Sequence, residues 1–214
     1  MRIIDIHTHI RSEVDERKEL ISLFHNKSIP SNKFFSIGIH PWHADKNKTK
    51  SLIDELHPKA RQAFAVGECG LDKMSSTDFD KQISVFRQQI ELSESLKKPL
   101  IIHSVKTYPE IISLHKEYKP SQDWIVHGFT GNIQIMDELV NHGIFISFGE
   151  LLMKAIKKTE EVFFTTPLDK LFLETDESVY DILDIYKQAA RIKNISIENL
   201  SNQIEKNLKF ISEK

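Results

Sequence analysis

The chain has a single cysteine, Cys69, so it cannot form an internal disulfide, and a disulfide-stapled secreted scaffold is excluded. No apolar run approaches the roughly 20 residues a membrane-spanning helix needs, and the first residues lack the succession of a secretory signal. A soluble protein of a reducing, cytoplasmic compartment is expected, without a membrane or an obligate protein partner. A basic surplus is missing too. Lys and Arg total 29 against 31 Asp and Glu, a formal charge of -2, so the whole-chain charge does not draw the protein to polyanions. Repeats, low-complexity tracts and Pro/Gly-rich linkers are absent. With 214 residues and 40% hydrophobic content the chain can bury one substantial core, and one domain spanning 1–214 is expected.

Short runs rich in Ile, Val and Phe recur along the chain: "RIIDIHTHI", "ELISLFH", "FFSIGIHP", "AFAVGECGLD", "PLIIHSV", "WIVHGFTG", "IFISFG" and "LFLETD". Most are nearly continuous in hydrophobicity, as in parallel strands buried on both faces. Amphipathic helices separate the later ones. Thr77 is placed to cap a helix that buries Phe79, Ile83, Phe86 and Ile90. Asn132 opens another with Ile135, Met136, Leu139 and Val140 inward, and Gly143 stands at its stop. Eight strands alternating with helices imply an α/β fold, a single (β/α)8 TIM barrel. Typical barrels run to about 250 residues. The stretch from Ile10 to Phe34 has room for one short strand and an abbreviated helix, so the first βα units should be shortened and the barrel somewhat distorted.

Six of these runs carry His, Glu or Asp near the carboxyl end: His7 and His9, His40, Glu68, His103, His127 and Asp176. That end of every barrel strand faces the active-site mouth, so residues distant in sequence converge there. His7 and His9, two apart on a strand, point to one side and make half of a metal site. The alternative, two polar residues on a partly exposed edge strand, is opposed by the flanking Ile4, Ile6 and Ile10. Glu68 lies between apolar Val66 and glycines, where a buried carboxylate needs a cation or a metal, and the glycines clear space for something to approach. Glu174 shares a face with Asp176, and spacing does not decide between them. Four histidines with one or two carboxylates suit two divalent ions of N and O ligation, Zn, Mn or Mg, sharing a bridging carboxylate and a water, or a single such ion. His25, His57, His115 and His142 have no convergent partners in sequence and are read as ordinary. Alternation turns Cys69 away from Glu68, and a cysteine nucleophile is not expected.

"DIHTHI", "GIHPWHA", "GECGLD", "PLIIHS", "HGFTG" and "LETD", in this order, resemble the TatD-related metal-dependent hydrolases of the amidohydrolase superfamily, and the likeness covers nearly the whole chain. The resemblance implies a distorted TIM barrel that hydrolyses phosphoester bonds as a metal-dependent deoxyribonuclease, with DNA or a small phosphoester as substrate. It implies that His7, His9 and Asp176 bind a first metal and His103 and His127 a second, with Glu68 serving both. In such a site Asp176 takes the proton from the nucleophilic water. Two departures stand out. Val105 occupies a position where the family commonly has arginine, leaving Lys106 to supply a phosphate-binding charge, and the segment after Asp176 runs directly into Glu177, Ser178, Val179 and Tyr180. His40 and His43 of "HPWHA" are expected to contact substrate, and Trp42 offers a face for a base. The competing functions are an amide- or carboxyl-ester hydrolase of the same superfamily and a catalytically silent metal-binding module. The absence of a lysine at the Glu68 position, where a carbamylated bridge would sit, favours the nuclease-like branch.

Overall fold

A computed structural model describes residues 1–10, 17–30, 34–44 and 48–213, with only the backbone of Thr49. Eight strands form one parallel sheet in chain order: β1 Ile3–Thr8, β2 Arg17–Phe24, β3 Phe35–Gly38, β4 Ala65–Asp72, β5 Leu100–Val105, β6 Trp124–Val126, β7 Phe145–Phe148 and β8 Leu171–Leu173. A parallel bridge between Thr8 and Asp176 closes it into a barrel. The His9 N–H donates to the Asp176 carbonyl at 3.1 Å, and the Asp176 N–H to the His7 carbonyl at 2.9 Å. The expected eight-stranded barrel is the observed one.

The helices are α1 Thr49–Ala60 after β3, α2 Phe79–Leu96 after β4, α3 Tyr108–Tyr118 after β5, α4 Ile133–Asn141 after β6 and α5 Lys157–Thr165 after β7. Two more, α6 Ile182–Lys193 and α7 Ile197–Ser212, follow β8. Among the described residues no helix follows β1 or β2, so the shortening falls on the first two units. The abbreviated helix expected before Phe34 is not among them, whereas β2, with 8 residues, is as long as β4. Among the described residues, no helix is long and apolar enough to cross a membrane.

Burial follows the sequence pattern. Ile4 and Ile6 are fully buried on one side of β1 while Asp5 and His7 occupy the other, and each fully buried Ile or Phe contributes roughly 1.5–3 kcal/mol. On the buried face of α2, Phe86 and Ile90 are enclosed and Phe79 and Ile83 pack at its margin. The cap of α2 is Asp78 rather than Thr77. The Asp78 carboxylate accepts the Lys81 N–H at 3.0 Å, while the Thr77 hydroxyl donates to the Trp42 carbonyl. Asn132 caps α4 as expected, accepting from the Ile135 N–H at 3.0 Å.

Candidate metal centre

Glu68 is the hub of the barrel mouth, and its two oxygens face different sets of side chains. Oε2 lies 3.6 Å from His7 Nε2 and 3.3 Å from His9 Nε2. Both imidazoles also approach Asp176 Oδ1, at 3.5 and 3.6 Å. Oε1 faces the other way, 2.8 Å from His103 Nδ1, 2.8 Å from His127 Nε2 and 3.3 Å from His40 Nε2. His7 and His127 stack across the divide with ring centroids 4.0 Å apart.

The donors fit divalent cations. His7 is fully buried, yet neither of its ring nitrogens has a hydrogen-bond partner. Such orphaned atoms are destabilising unless something fills the gap. Separations of 3.3 to 3.6 Å around Glu68 Oε2 and Asp176 Oδ1 are long for hydrogen bonds. They match the roughly 3.3–3.5 Å expected between two ligands each about 2.0–2.1 Å from one tetrahedral ion. Three ligand groupings have atoms close enough to share an ion: His7, His9 and Glu68; His7, His127 and Asp176; and His40, Glu68 and His103.

A second layer of residues aims these ligands. Asp72 Oδ2 accepts the Trp42 indole N–H at 2.7 Å and lies 3.4 Å from His103 Nε2, behind the nitrogen that faces Glu68. Glu174 Oε1 accepts the Gly128 N–H at 2.7 Å and lies 3.5 Å from His127 Nδ1. A carboxylate behind a ligating imidazole fixes its tautomer and raises its basicity. Helix α2 contributes two buried glutamines whose amide groups clamp strand ends. Gln89 accepts the Ile39 N–H and donates to the Ile39 carbonyl, one residue before His40. Gln82 accepts the Asp72 N–H and donates to the Asp72 carbonyl. Below His7, Asp5 accepts from the Thr175 hydroxyl, the Thr175 N–H and the His7 N–H. Burial outweighs these donors and pushes the Asp5 carboxyl up to about 8.

The protonation pattern reflects the crowding. Burial would raise the Glu68 carboxyl, but His127, His103 and His40 hold it well below the ordinary value. Burial likewise opposes charge on His127 and His9, while Glu68 beside them raises both, His127 strongly. His40 goes the other way, lowered by burial. Asp176 is lowered despite burial by His7 and His127. The buried Cys69 thiol is pushed well up by desolvation and sits 3.5 Å from the Ile101 carbonyl, away from the cluster.

Six of the nine residues expected at the site, His7, His9, Glu68, His103, His127 and Asp176, converge. His40, expected toward substrate, joins the Oε1 set. His43 is exposed beside Phe24, its ring centroid 6.1 Å from that of His40, and Lys106 is exposed just after β5. Glu174 and Asp176 divide the work that spacing left undecided: Asp176 stands among the Oε2 ligands and Glu174 behind His127. Both lie past the end of β8 rather than within a strand. The glycines beside Glu68 leave space for backbone rather than for a ligand. A Cβ at Gly67 would stand 2.4 Å from the Ile101 carbonyl oxygen and one at Gly70 2.1 Å from that of His103. Of the histidines read as ordinary, His115 and His142 are neighbours at 5.9 Å, and His25 lies 6.3 Å from His43. Asp72, Gln82 and Gln89 escaped the sequence reading. The one available signal was the spacing of Gln82 and Gln89, which repeats every two helical turns on the apolar face of α2.

A closed parallel barrel with imidazoles and carboxylates gathered at the carboxyl ends of its strands is the architecture of a metal-dependent hydrolase. A family model described as TatD related DNase matches residues 8–211, and the chain belongs to this family. It is 31% identical to an uncharacterized metal-dependent hydrolase of Buchnera aphidicola over 82% of this chain and 72% of that one. It is 29% identical to the 3'-5' ssDNA/RNA exonuclease TatD of Erwinia tasmaniensis over 69% of this chain and 59% of that one. The crystal structure of the Escherichia coli TatD homolog YjjV superposes with a TM-score of 0.80 at 20% identity, covering 98% of this chain and 97% of that one, which shows the shared fold.

Proposed function

We propose that this chain is a phosphoester hydrolase of the deoxyribonuclease type, working with two divalent cations (Zn, Mn or Mg) on the end of a nucleic-acid strand or on a small phosphodiester. The observation that carries the reading is the division of Glu68, with one oxygen among His7, His9 and the neighbourhood of Asp176, the other among His40, His103 and His127. One carboxylate turned to two ligand sets is what a shared pair of ions needs. His7, His9 and Asp176 would hold one cation, His103 and His127 the other, with His40 beside the second. When bound, the cations acidify a water and neutralise charge on the phosphoryl group.

The chain's own residues then divide the remaining tasks. Asp176 keeps a partly open carboxylate, its side chain 44% exposed, at the edge of the cluster. Held ionised, it takes the proton of the attacking water and returns it to the departing oxygen. Asp72 and Glu174 hold the His103 and His127 rings in register. Trp42, 58% exposed and anchored through its indole N–H to Asp72, presents a face at the rim for a ring of the substrate. The test is metal analysis of the purified protein together with assays on single-stranded DNA and bis(4-nitrophenyl) phosphate, before and after chelation. Bound metal with chelator-sensitive phosphodiester cleavage is the expected result, and cleavage of amides or carboxyl esters alone would overturn it.

A further inference from the structure

Beside Asp176, the loops after β6, β7 and β8 enclose a cavity of about 460 Å³, a size that suits one small ligand. Its charge is unusual for the site of an enzyme acting on anions. Glu150, Glu174, Asp176 and Glu177 line it, and among the described residues the one cation on its wall is Lys154. That ammonium is 2.6 Å from Glu150 Oε1 and thus already engaged. Glu174 is the telling member. It is 1% exposed, and while Oε1 accepts the Gly128 N–H, Oε2 is buried with no hydrogen-bond partner. A carboxylate oxygen can only accept, and leaving it dry and unpaired is destabilising. The missing partner is a donor.

Resting on the phosphoester reading above, we propose that this cavity receives the group on one side of the scissile ester as an uncharged, hydroxyl- or amine-bearing moiety the size of one nucleoside. Its donor meets Glu174 Oε2, its ring lies along Leu151, and the cluster around Glu68 takes the single phosphate. A further phosphate on that moiety meets Glu177 and the Lys154-paired Glu150, with no unengaged cation among the described lining residues to receive it, and like charges placed together reject a ligand. The substrate is therefore a small phosphodiester, or a strand end, whose terminal nucleoside carries no phosphate.

The test compares the dinucleoside monophosphate of thymidine with its 5'-phosphorylated and 3'-phosphorylated forms, using metal-loaded enzyme. Cleavage of the internal ester should lose about tenfold or more in kcat/KM for one of the two phosphorylated forms. The doubly substituted Glu150→Lys, Glu177→Lys protein should bring the two values within about threefold of each other. Independently of turnover, thymidine should bind the metal-free protein in an NMR titration, and its monophosphates should bind more weakly. Equal cleavage of all three dinucleotides, or equal binding of thymidine and its monophosphates, overturns the proposal alone. Failure to cleave any of them or bis(4-nitrophenyl) phosphate with Zn, Mn or Mg overturns the phosphoester reading, and this one with it.

Discussion

The two sides of Glu68 are built to different standards. On the Oε1 side His103 is backed by Asp72, His127 by Glu174, and His40 follows a backbone residue gripped at both polar atoms by Gln89. On the Oε2 side His7 Nδ1 has no partner, His9 lies just past the end of β1, and Asp176 is partly open to solvent. One half is the more fully organised before any ion arrives: His103 has a carboxylate at either edge and His40 accepts the Trp42 N–H, while His127 Nδ1 stands 3.5 Å from Glu174 Oε1 without a hydrogen bond. The other half would be completed by an ion. Ligand orientation by outer partners commonly changes metal affinity by about 10–100-fold, so the Oε1 side should fill first and empty last.

Glu68→Gln tests the comparison most severely, since it removes the carboxylate that joins the halves. Turnover should fall at least about a thousandfold and metal content should drop on both sides; retention of one full equivalent would show that the halves are independent. Asp176→Asn should lower turnover about a hundredfold or more while leaving circular dichroism unchanged and one ion per chain retained, a result read by metal analysis beside the assay. Asp72→Asn should weaken the better-held ion by about tenfold, measured by competition with a chromophoric chelator. If it weakens both ions equally, the division into halves is wrong. Trp42→Phe removes the indole donor to Asp72 and narrows the aromatic face at the rim, and a loss of about threefold to tenfold in kcat/KM is expected.

Acid should act on the same asymmetry. A metal needs neutral imidazole, and in the metal-free protein burial opposes the charge on His127 while Glu68 and Glu174 raise its pKa well above the ordinary value. A raised pKa means that the proton is still held as pH climbs through neutrality, so an ion entering the Oε1 side must expel it. Affinity there should weaken as pH falls, by up to about tenfold per unit for each proton expelled. Calorimetric titrations in buffers of different ionisation enthalpy would detect the released proton, and affinity independent of pH between 8 and 6 would remove this account.

Most of the residues proposed as ligands were readable because each is a polar residue in, or just past, an apolar strand, where burial makes it conspicuous. The barrel was readable from the same strands and from the helices between the later ones. What escaped depends on pairing over distance. The spacing of Gln82 and Gln89 places them on the apolar face of α2, but no local pattern announces that their amides meet Asp72 and Ile39, 10 and 50 residues away. Asp72 ends the strand that carries Glu68 and gains its role only from the positions of Trp42 and His103. Glu174 and Asp176 could not be separated by counting because both follow the last strand, where the chain no longer alternates. The cap of α2 missed by one residue, since Thr77 and Asp78 are both competent capping residues and tertiary contacts chose between them.

The closing seam of the barrel ties metal loading to the order in which the chain is made. Thr8 and Asp176 meet across it, 168 residues apart in sequence, and the two backbone bonds there join the residues bearing His7, His9 and Asp176. Such a contact is among the last and slowest to form, because long-range pairing must overcome the entropy of closing a long loop. A nascent chain that has displayed β1 but not yet the segment after β8 therefore holds an incomplete Oε2 pocket, however much of the remaining barrel has folded. Completion of that pocket reports that the first and last strands have found each other, and an ion that binds only the closed form holds the seam shut by mass action.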